Sequence, residues 1–259
     1  MIHNKLNLNY IWQFRFENYA DAVTVKESYG PNVIPQSREE GGFNSVEWLN
    51  KQKTMLETAA RGELPRHTSI LEFLDSSSIE NIIEFGGGPG WIWAYLVHTN
   101  SHGNINYYNY ELESSRQAFE FQNSKLPNMN FIEKEEISDL IFQRNLLYCN
   151  SVLQYFENNS VFLDLIQTSN PVSIILDDVA GGAEEFFSLQ NYYGYMQINR
   201  FLNLERLIYE VCSRGYKLSC RRHYQKEFSK RMVAKIWLGA ENGVESGVPS
   251  SVTLVFDRI

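Results

Sequence analysis

The residues Glu84-Phe85-Gly86-Gly87-Gly88-Pro89-Gly90 carry the chemistry most easily read from this chain. They follow a short apolar run, Ile82-Ile83, and open onto Trp91-Ile92-Trp93-Ala94-Tyr95-Leu96, whose apolar spacing suits a helix. A strand, a glycine turn and a helix in succession bring main chain against a nucleotide-like ligand in α/β folds. Gly86, Gly88 and Gly90 lack Cβ atoms and permit positive φ where a ligand must lie on the backbone. A dinucleotide fingerprint needs G-x-G-x-x-G, its last glycine letting helix pack closely on strand. Here Trp91 fills that slot and the glycines read G-x-G-x-G, which argues against a bound pyrophosphate. A second acid stands in Asn109-Tyr110-Glu111-Leu112-Glu113, roughly 20 residues past the turn, where a carboxylate accepts both ribose hydroxyls of an adenosine. Glu111 is in register for that role. Glu113 is the alternative, though an acid there also suits a helix N-terminus.

Two further stretches stand out. Asp177-Asp178-Val179-Ala180-Gly181-Gly182 opens a long connection containing Phe186, Phe187, Tyr192, Tyr193, Gly194, Tyr195 and Met196. A connection of that length inside an α/β unit is usually functional. It reads as a substrate lid near 180–202 hinged at Gly181-Gly182, with Tyr193 and Tyr195 as acceptor contacts. The competing reading is a helical insertion that buries its aromatics in the core. Lys217, Arg221, Arg222, His223, Lys226, Lys230, Arg231 and Lys235 form a basic cluster opposed only by Glu227. In an acidic chain it reads either as solvated faces or as attraction for an anionic acceptor, with Arg221 or Arg222 reaching a phosphate.

These residues need elements to position them. The pattern predicts strands at 81–85, 105–110, 129–132, 145–149, 172–177, 216–221 and 251–257, with helices at 91–100, 113–124, 160–168 and 203–214. Such alternation predicts an α/β fold, a doubly wound sheet of seven mostly parallel strands with helices on both faces. The last strand follows a stretch rich in Gly, Ser and Pro and is free to return antiparallel. Residues 1–80 read as a partly helical extension capping the core, with a helix from Ser45 to Ala60 capped by Ser45 and a shorter one from Ser69 to Leu74.

The bulk properties narrow the class. The chain has 259 residues, 43% of them hydrophobic, which is ample for one core. Its net charge of −8 argues against general nucleic-acid binding, which needs a basic face. Cys149, Cys212 and Cys220 form no close-spaced metal pattern, and an odd number does not suggest a disulfide framework. No apolar run approaches the ~20 residues of a membrane helix, and residues 1–5 show no signal-peptide h-region. The expectation is a soluble, cytoplasmic protein without membrane insertion.

Led by an acidic residue, the glycine pattern resembles motif I of class I S-adenosylmethionine (SAM) methyltransferases. Glu111, the run Asn150-Ser151-Val152-Leu153-Gln154-Tyr155 and Gly215-Tyr216 before the sixth strand add to the likeness. More narrowly the chain resembles a bacterial group of methyltransferases linked to surface-polysaccharide gene clusters. The likeness runs from about Asn81 to Ile259. It implies the Rossmann-like class I fold and SAM as cofactor, with Gly86, Gly87, Gly88 and Gly90 against it. Glu84 then lies near the methionine moiety, where a carboxylate suits a sulfonium and an ammonium. Glu133 lies toward the adenine amine, and Asn150 and Ser151 face the methyl-transfer region.

Departures from the family matter too. Asn150-Ser151-Val152-Leu153 has no proline, unlike the turn of amino-methylating DNA enzymes. Asp177-Asp178 follows the fifth strand but Asn150 the fourth, so the paired carboxylates of metal-dependent catechol-type enzymes are missing and no metal is expected. A hydroxyl acceptor needs a base, for which His223, Asp177 and Asp178 are the candidates. The implied activity is O-methylation of a small polar acceptor, such as a glycan precursor. A nucleotide-dependent oxidoreductase and a catalytically silent SAM-binding protein are the alternatives.

Overall fold

The computed structural model describes residues 12–28, 43, 45–64, 68–74, 78–111, 116, 126–140, 143–192, 195–224 and 250–259. Its centre is β2 (Asn81–Phe85), buried at every position. A strand covered on both faces reads as a continuous apolar run, as Ile82-Ile83 does. Parallel to it lie β3 (Asn106–Tyr110) and β5 (Asn145–Asn150). Strand β4 (Met129–Phe131) extends the sheet beyond β3, and β6 (Ser173–Gly182) extends it beyond β5. On the other edge of β6 runs β10 (Ser250–Arg258), antiparallel both to it and to β9 (Tyr216–Tyr224). These are the seven strands expected, the last of them antiparallel, and their spatial order is β4-β3-β2-β5-β6-β10-β9.

Helices cover both faces. On one side α2 (Val46–Ala59), α3 (Ile70–Phe73) and α4 (Trp91–His98) bury Ile82, Leu146, Tyr148, Ile175 and Val255. On the other, α5 (Lys134–Ile137), α6 (Ser160–Ser169) and α7 (Leu204–Cys212) bury Ile83, Leu147, Cys149, Leu176 and Leu254. Period-two alternation along each strand sends successive side chains to opposite layers. As the sequence suggested, Ser45 caps α2, its Oγ accepting from Trp48 N at 3.1 Å. The helix expected at 113–124 lies outside the described residues apart from Arg116, as do Glu113 and Tyr193.

Among the described residues three more strands extend this sheet beside the seven expected ones. The connection read as a lid or a helical insertion is a β-hairpin, β7 (Phe186–Tyr192) and β8 (Tyr195–Asn203). Strand β8 pairs with Gly181 and Gly182 on the edge of β6 that β5 leaves after Asn150. Strand β1 (Trp12–Phe16) borders β7, and α1 (Tyr19–Ser28) packs on the hairpin through Ala22. The hairpin buries aromatics on both faces, with Phe187 against Tyr19 on one and Phe186 stacked on Phe201 at 4.8 Å on the other. That two-sided burial erases the alternation by which a strand is recognised. Gly181 acts here as a close-approach residue: a Cβ on it would stand 2.4 Å from Leu202 O.

Candidate functional site

The glycine turn sits at the C-terminal edge of the sheet, where open α/β folds bind ligands. Gly86, Gly88 and Gly90 all take positive φ, as their spacing implied. The end of β3 holds the turn in shape. Gly86 N donates to Tyr110 O at 2.9 Å. Asn109 clamps the next two residues, Oδ1 accepting from Gly87 N at 3.2 Å and Nδ2 donating to Gly88 O at 2.8 Å. Glu111, two residues on and so on the same face, accepts from Gly88 N through Oε2 at 2.7 Å. Sequence reasoning named Glu111 and missed Asn109, two residues earlier at the end of β3.

Glu84 is 2% exposed and lies beneath the turn. A Cβ on Gly87 would stand 2.6 Å from Glu84 Oε2, so glycine is what lets the backbone close on the carboxylate. On the far side Val152 meets the turn, its Cγ2 standing 2.6 Å from where a Gly86 Cβ would be. Trp91, the residue in the dinucleotide-glycine slot, is buried in the core with Trp93 and Tyr107.

Beside the turn, Tyr148 is the hub of a buried polar cluster. Its hydroxyl meets Thr68 Oγ1 at 2.7 Å and donates to Asp177 Oδ2 at 3.0 Å, while Asn150 Nδ2 donates to it at 2.7 Å. Burial, then the charges of Asp177 and Glu84, hold its pKa well above the ordinary tyrosine value. The phenol therefore stays protonated and serves as a fixed donor. Asp177 also accepts from Ser69 N at 2.6 Å and from Thr253 Oγ1 at 2.6 Å. A carboxylate committed to this many donors is a structural tie between α3, β5, β6 and β10 rather than a base open to substrate. Asp178 has φ 52° and accepts from Ser251 Oγ at 2.5 Å. Ser151, at φ 60°, donates its N–H to Asp177 O at 2.9 Å, and its Oγ accepts from Gln154 Nε2 at 2.8 Å.

The remaining expected residues are placed as follows. Glu133 caps α5 in a reciprocal pairing with Glu136 and also meets Arg116. His223 is exposed on β9, opposite Val252. Arg221 pairs with Glu205 and Arg222 with Glu72, so alternation sends the two arginines to opposite faces and each meets a carboxylate. Lys226, Lys230, Arg231 and Lys235 lie outside the described residues. Tyr195 Oη accepts from Lys26 Nζ at 2.6 Å. Sequence reasoning gave no notice of an aromatic group around Phe43, which meets Trp48, Tyr155 and Tyr192 at centroid distances of 5.4, 5.0 and 5.1 Å.

No family model matches the sequence, and no curated protein matches it. Solved structures do match in fold. A Listeria monocytogenes protein assigned as an S-adenosylmethionine-dependent methyltransferase superposes with a TM-score of 0.51 at 11% identity, over 74% of this chain and 96% of that one. An S-adenosylmethionine-dependent methyltransferase from Mesorhizobium loti gives 0.47 at 12% identity, over 78% of this chain and 100% of that one. The fold is thus a mixed α/β, Rossmann-like one, as in the Listeria protein.

Proposed function

We propose that this chain transfers a methyl group from SAM to an oxygen of a small polar acceptor. The proposal extends to an anionic acceptor, a phosphorylated or nucleotide-linked sugar or a phosphoramidate, and to service in capsule or surface-polysaccharide assembly. The observation that carries the reading is the glycine turn held between two acids, Glu84 beneath it and Glu111 on Gly88 N, with Trp91 where a dinucleotide site needs glycine.

The residues present fit such a cofactor. Gly86, Gly88 and Gly90 take positive φ and bring no side chain of their own to the turn. Glu111 would hold the ribose hydroxyls, and Glu84 would offset the positive end of the methionine moiety. When bound, SAM supplies a methyl carbon already activated by its sulfonium. The protein's task is then to align the acceptor oxygen in line with that carbon. Asn150, fixed by Tyr148 Oη, and Ser151 would line that side. Glu133 marks the adenine side. With the Asp177 carboxylate committed to Tyr148, Thr68, Ser69 and Thr253, Asp178 and His223 remain the proposed takers of a hydroxyl proton.

Calorimetric titration with SAM, S-adenosylhomocysteine and NAD tests the reading. Binding of the first two and silence from NAD is expected. Tight NAD binding without a SAM signal sinks it in favour of an oxidoreductase. Turnover then separates an enzyme from a silent SAM-binding protein.

A further inference from the structure

Ser151 follows β5 at the same edge of the sheet as the glycine turn. Cys149 in β5 lies beside Phe85 in β2, and Val152 presses on Gly86, so the residues on either side of this short stretch both border the turn. Ser151 is half-buried and has φ 60°, a conformation that serine takes rarely. Three hydrogen bonds hold it there. Its N–H donates to Asp177 O at 2.9 Å, and Gln154 Nε2 donates to its backbone oxygen at 2.9 Å and to its Oγ at 2.8 Å.

The direction of these bonds decides what the hydroxyl can do. A backbone oxygen only accepts, so the Gln154 group that meets Ser151 O is the NH2 end of the amide. The same NH2 meets Oγ, which must then accept as well. A serine hydroxyl carries one proton, and no acceptor among the described residues takes that of Ser151. Gln154 is itself 6% exposed, and its Oε1 is buried without a partner. An unsatisfied buried oxygen destabilises a fold, and each one asks for an explanation. What the amide adds here is its hold on Ser151.

We propose that Ser151 Oγ donates its proton in a hydrogen bond to an oxygen of the methyl acceptor, and that Gln154 is the positioning residue that turns the hydroxyl toward it. The proposal rests on the methyl-transfer reading and deepens it: the acceptor carries, on the side that meets Ser151, an oxygen with a lone pair to offer, either of a sugar or of its phosphate. An ammonium or N–H group in that place finds no partner, because the hydroxyl's accepting side is already taken by Gln154.

The test is titration of the full chain, without cofactor, with glucose 1-phosphate and with methyl glucoside as its uncharged counterpart. The parent should bind glucose 1-phosphate. Ser151→Ala should weaken that binding about fivefold if the bond is to a neutral oxygen and about tenfold or more if it is to a charged one. A loss confined to glucose 1-phosphate places the bond on a phosphate oxygen, and an equal loss for both ligands places it on a sugar oxygen. Gln154→Met should weaken binding about threefold, since the hydroxyl must then be held in one of three staggered positions. In the Ser151→Ala background Gln154→Met should change nothing, whereas damage to the fold would weaken binding there too. No binding of glucose 1-phosphate by the parent, unaltered binding in Ser151→Ala, or an equal effect of Gln154→Met in both backgrounds would each overturn it. The titration uses neither SAM nor NAD, so its outcome and that of the cofactor titration are read separately.

Discussion

The carboxylate of Glu111 lies against the main chain of Gly88, Oε2 accepting its N–H at 2.7 Å. The first acid after β3 is thus already fixed to the turn it is proposed to serve. In Glu111→Ala both the anchor of the turn and the ribose acceptor are gone. Hydrogen bonds to a charged partner contribute about 1.5–3 kcal/mol each, so SAM affinity should fall more than tenfold. Glu111→Gln keeps an acceptor oxygen for Gly88 N and should lose less. Calorimetry on both variants checks the order, and unchanged affinity in a folded Glu111→Ala protein would remove Glu111 from the site.

Gly181 and Gly182 are adjacent, yet their surroundings differ. A Cβ on Gly181 would stand 2.4 Å from the backbone oxygen of Leu202, which cannot step aside without breaking the β6–β8 pairing, while nothing lies within 4 Å of a Cβ on Gly182. Overpacking of this kind costs about 1–3 kcal/mol. Gly181→Ala should therefore lower Tm by several degrees and Gly182→Ala by little, at roughly 2–4 °C per kcal/mol for a chain of this size. Equal shifts in thermal denaturation would return Gly181 to the role of hinge.

What the sequence disclosed, and what it hid, follows from the range of each signal. The glycine turn and the Ser45 cap act within a few residues, through backbone sign and a helix cap, so local spacing exposes them, whereas Glu111 reaches Gly88 from 23 residues on. Strands β7 and β8 hid because Phe186 and Phe187 are both buried, one on each face, which leaves no polar partner to mark alternation. The Tyr148 cluster hid for another reason: Thr68 meets Tyr148 from 80 residues away, Asp177 meets it from the neighbouring strand, and Thr253 joins through Asp177 from 76 residues on. Asp177 looked like a base because sequence shows a carboxylate but not the donors folded around it. Lys26 and Tyr195, separated by 169 residues, share no local pattern at all.

The hairpin's proposed service as a lid is confined by its pairing. From Phe186 to Tyr192 its residues are paired with β8 and part of the sheet, so the movement proposed for it is expected only at its end. In hydrogen exchange the paired amides should be protected in the free protein, while amides at that end should slow when S-adenosylhomocysteine is added. Unchanged exchange there would make the hairpin a fixed part of the core.

Arg221 and Arg222 meet Glu205 and Glu72 at the surface. Exposed pairs of this kind contribute roughly 0–1 kcal/mol. Replacing either arginine with alanine should leave stability and SAM affinity nearly unchanged. A rise in KM for a phosphorylated acceptor, shrinking at high salt, would support an anion site on β9. An unaltered KM with both arginines replaced would remove the basic cluster from acceptor recognition.

Alkaline pH should destabilise the fold in two stages. Burial, then the Glu84 charge, holds the Cys149 thiol pKa far above its ordinary value. Tyr148 is raised by burial and by Asp177 and Glu84, and burial pushes Tyr216 up to about 12. All three are acids that the folded state keeps neutral. Below the unfolded values, about 8.5 for Cys and 10 for Tyr, both states hold the proton and pH has no effect through these groups. Above them the unfolded chain releases protons that the folded chain retains, so stability falls by about 1.4 kcal/mol per pH unit for each group. The decline should begin near pH 8.5 with Cys149 and steepen past pH 10, approximately, as the tyrosines join. Tyr148→Phe should be less stable than the parent at neutral pH by about 1–3 kcal/mol, because it leaves Asp177, Thr68 and Asn150 short of a partner. Its alkaline slope past pH 10 should nevertheless be shallower by one group's share. Urea unfolding at a series of pH values measures both, and a variant with the parent's slope would show that Tyr148 does not hold its proton as the buried cluster requires.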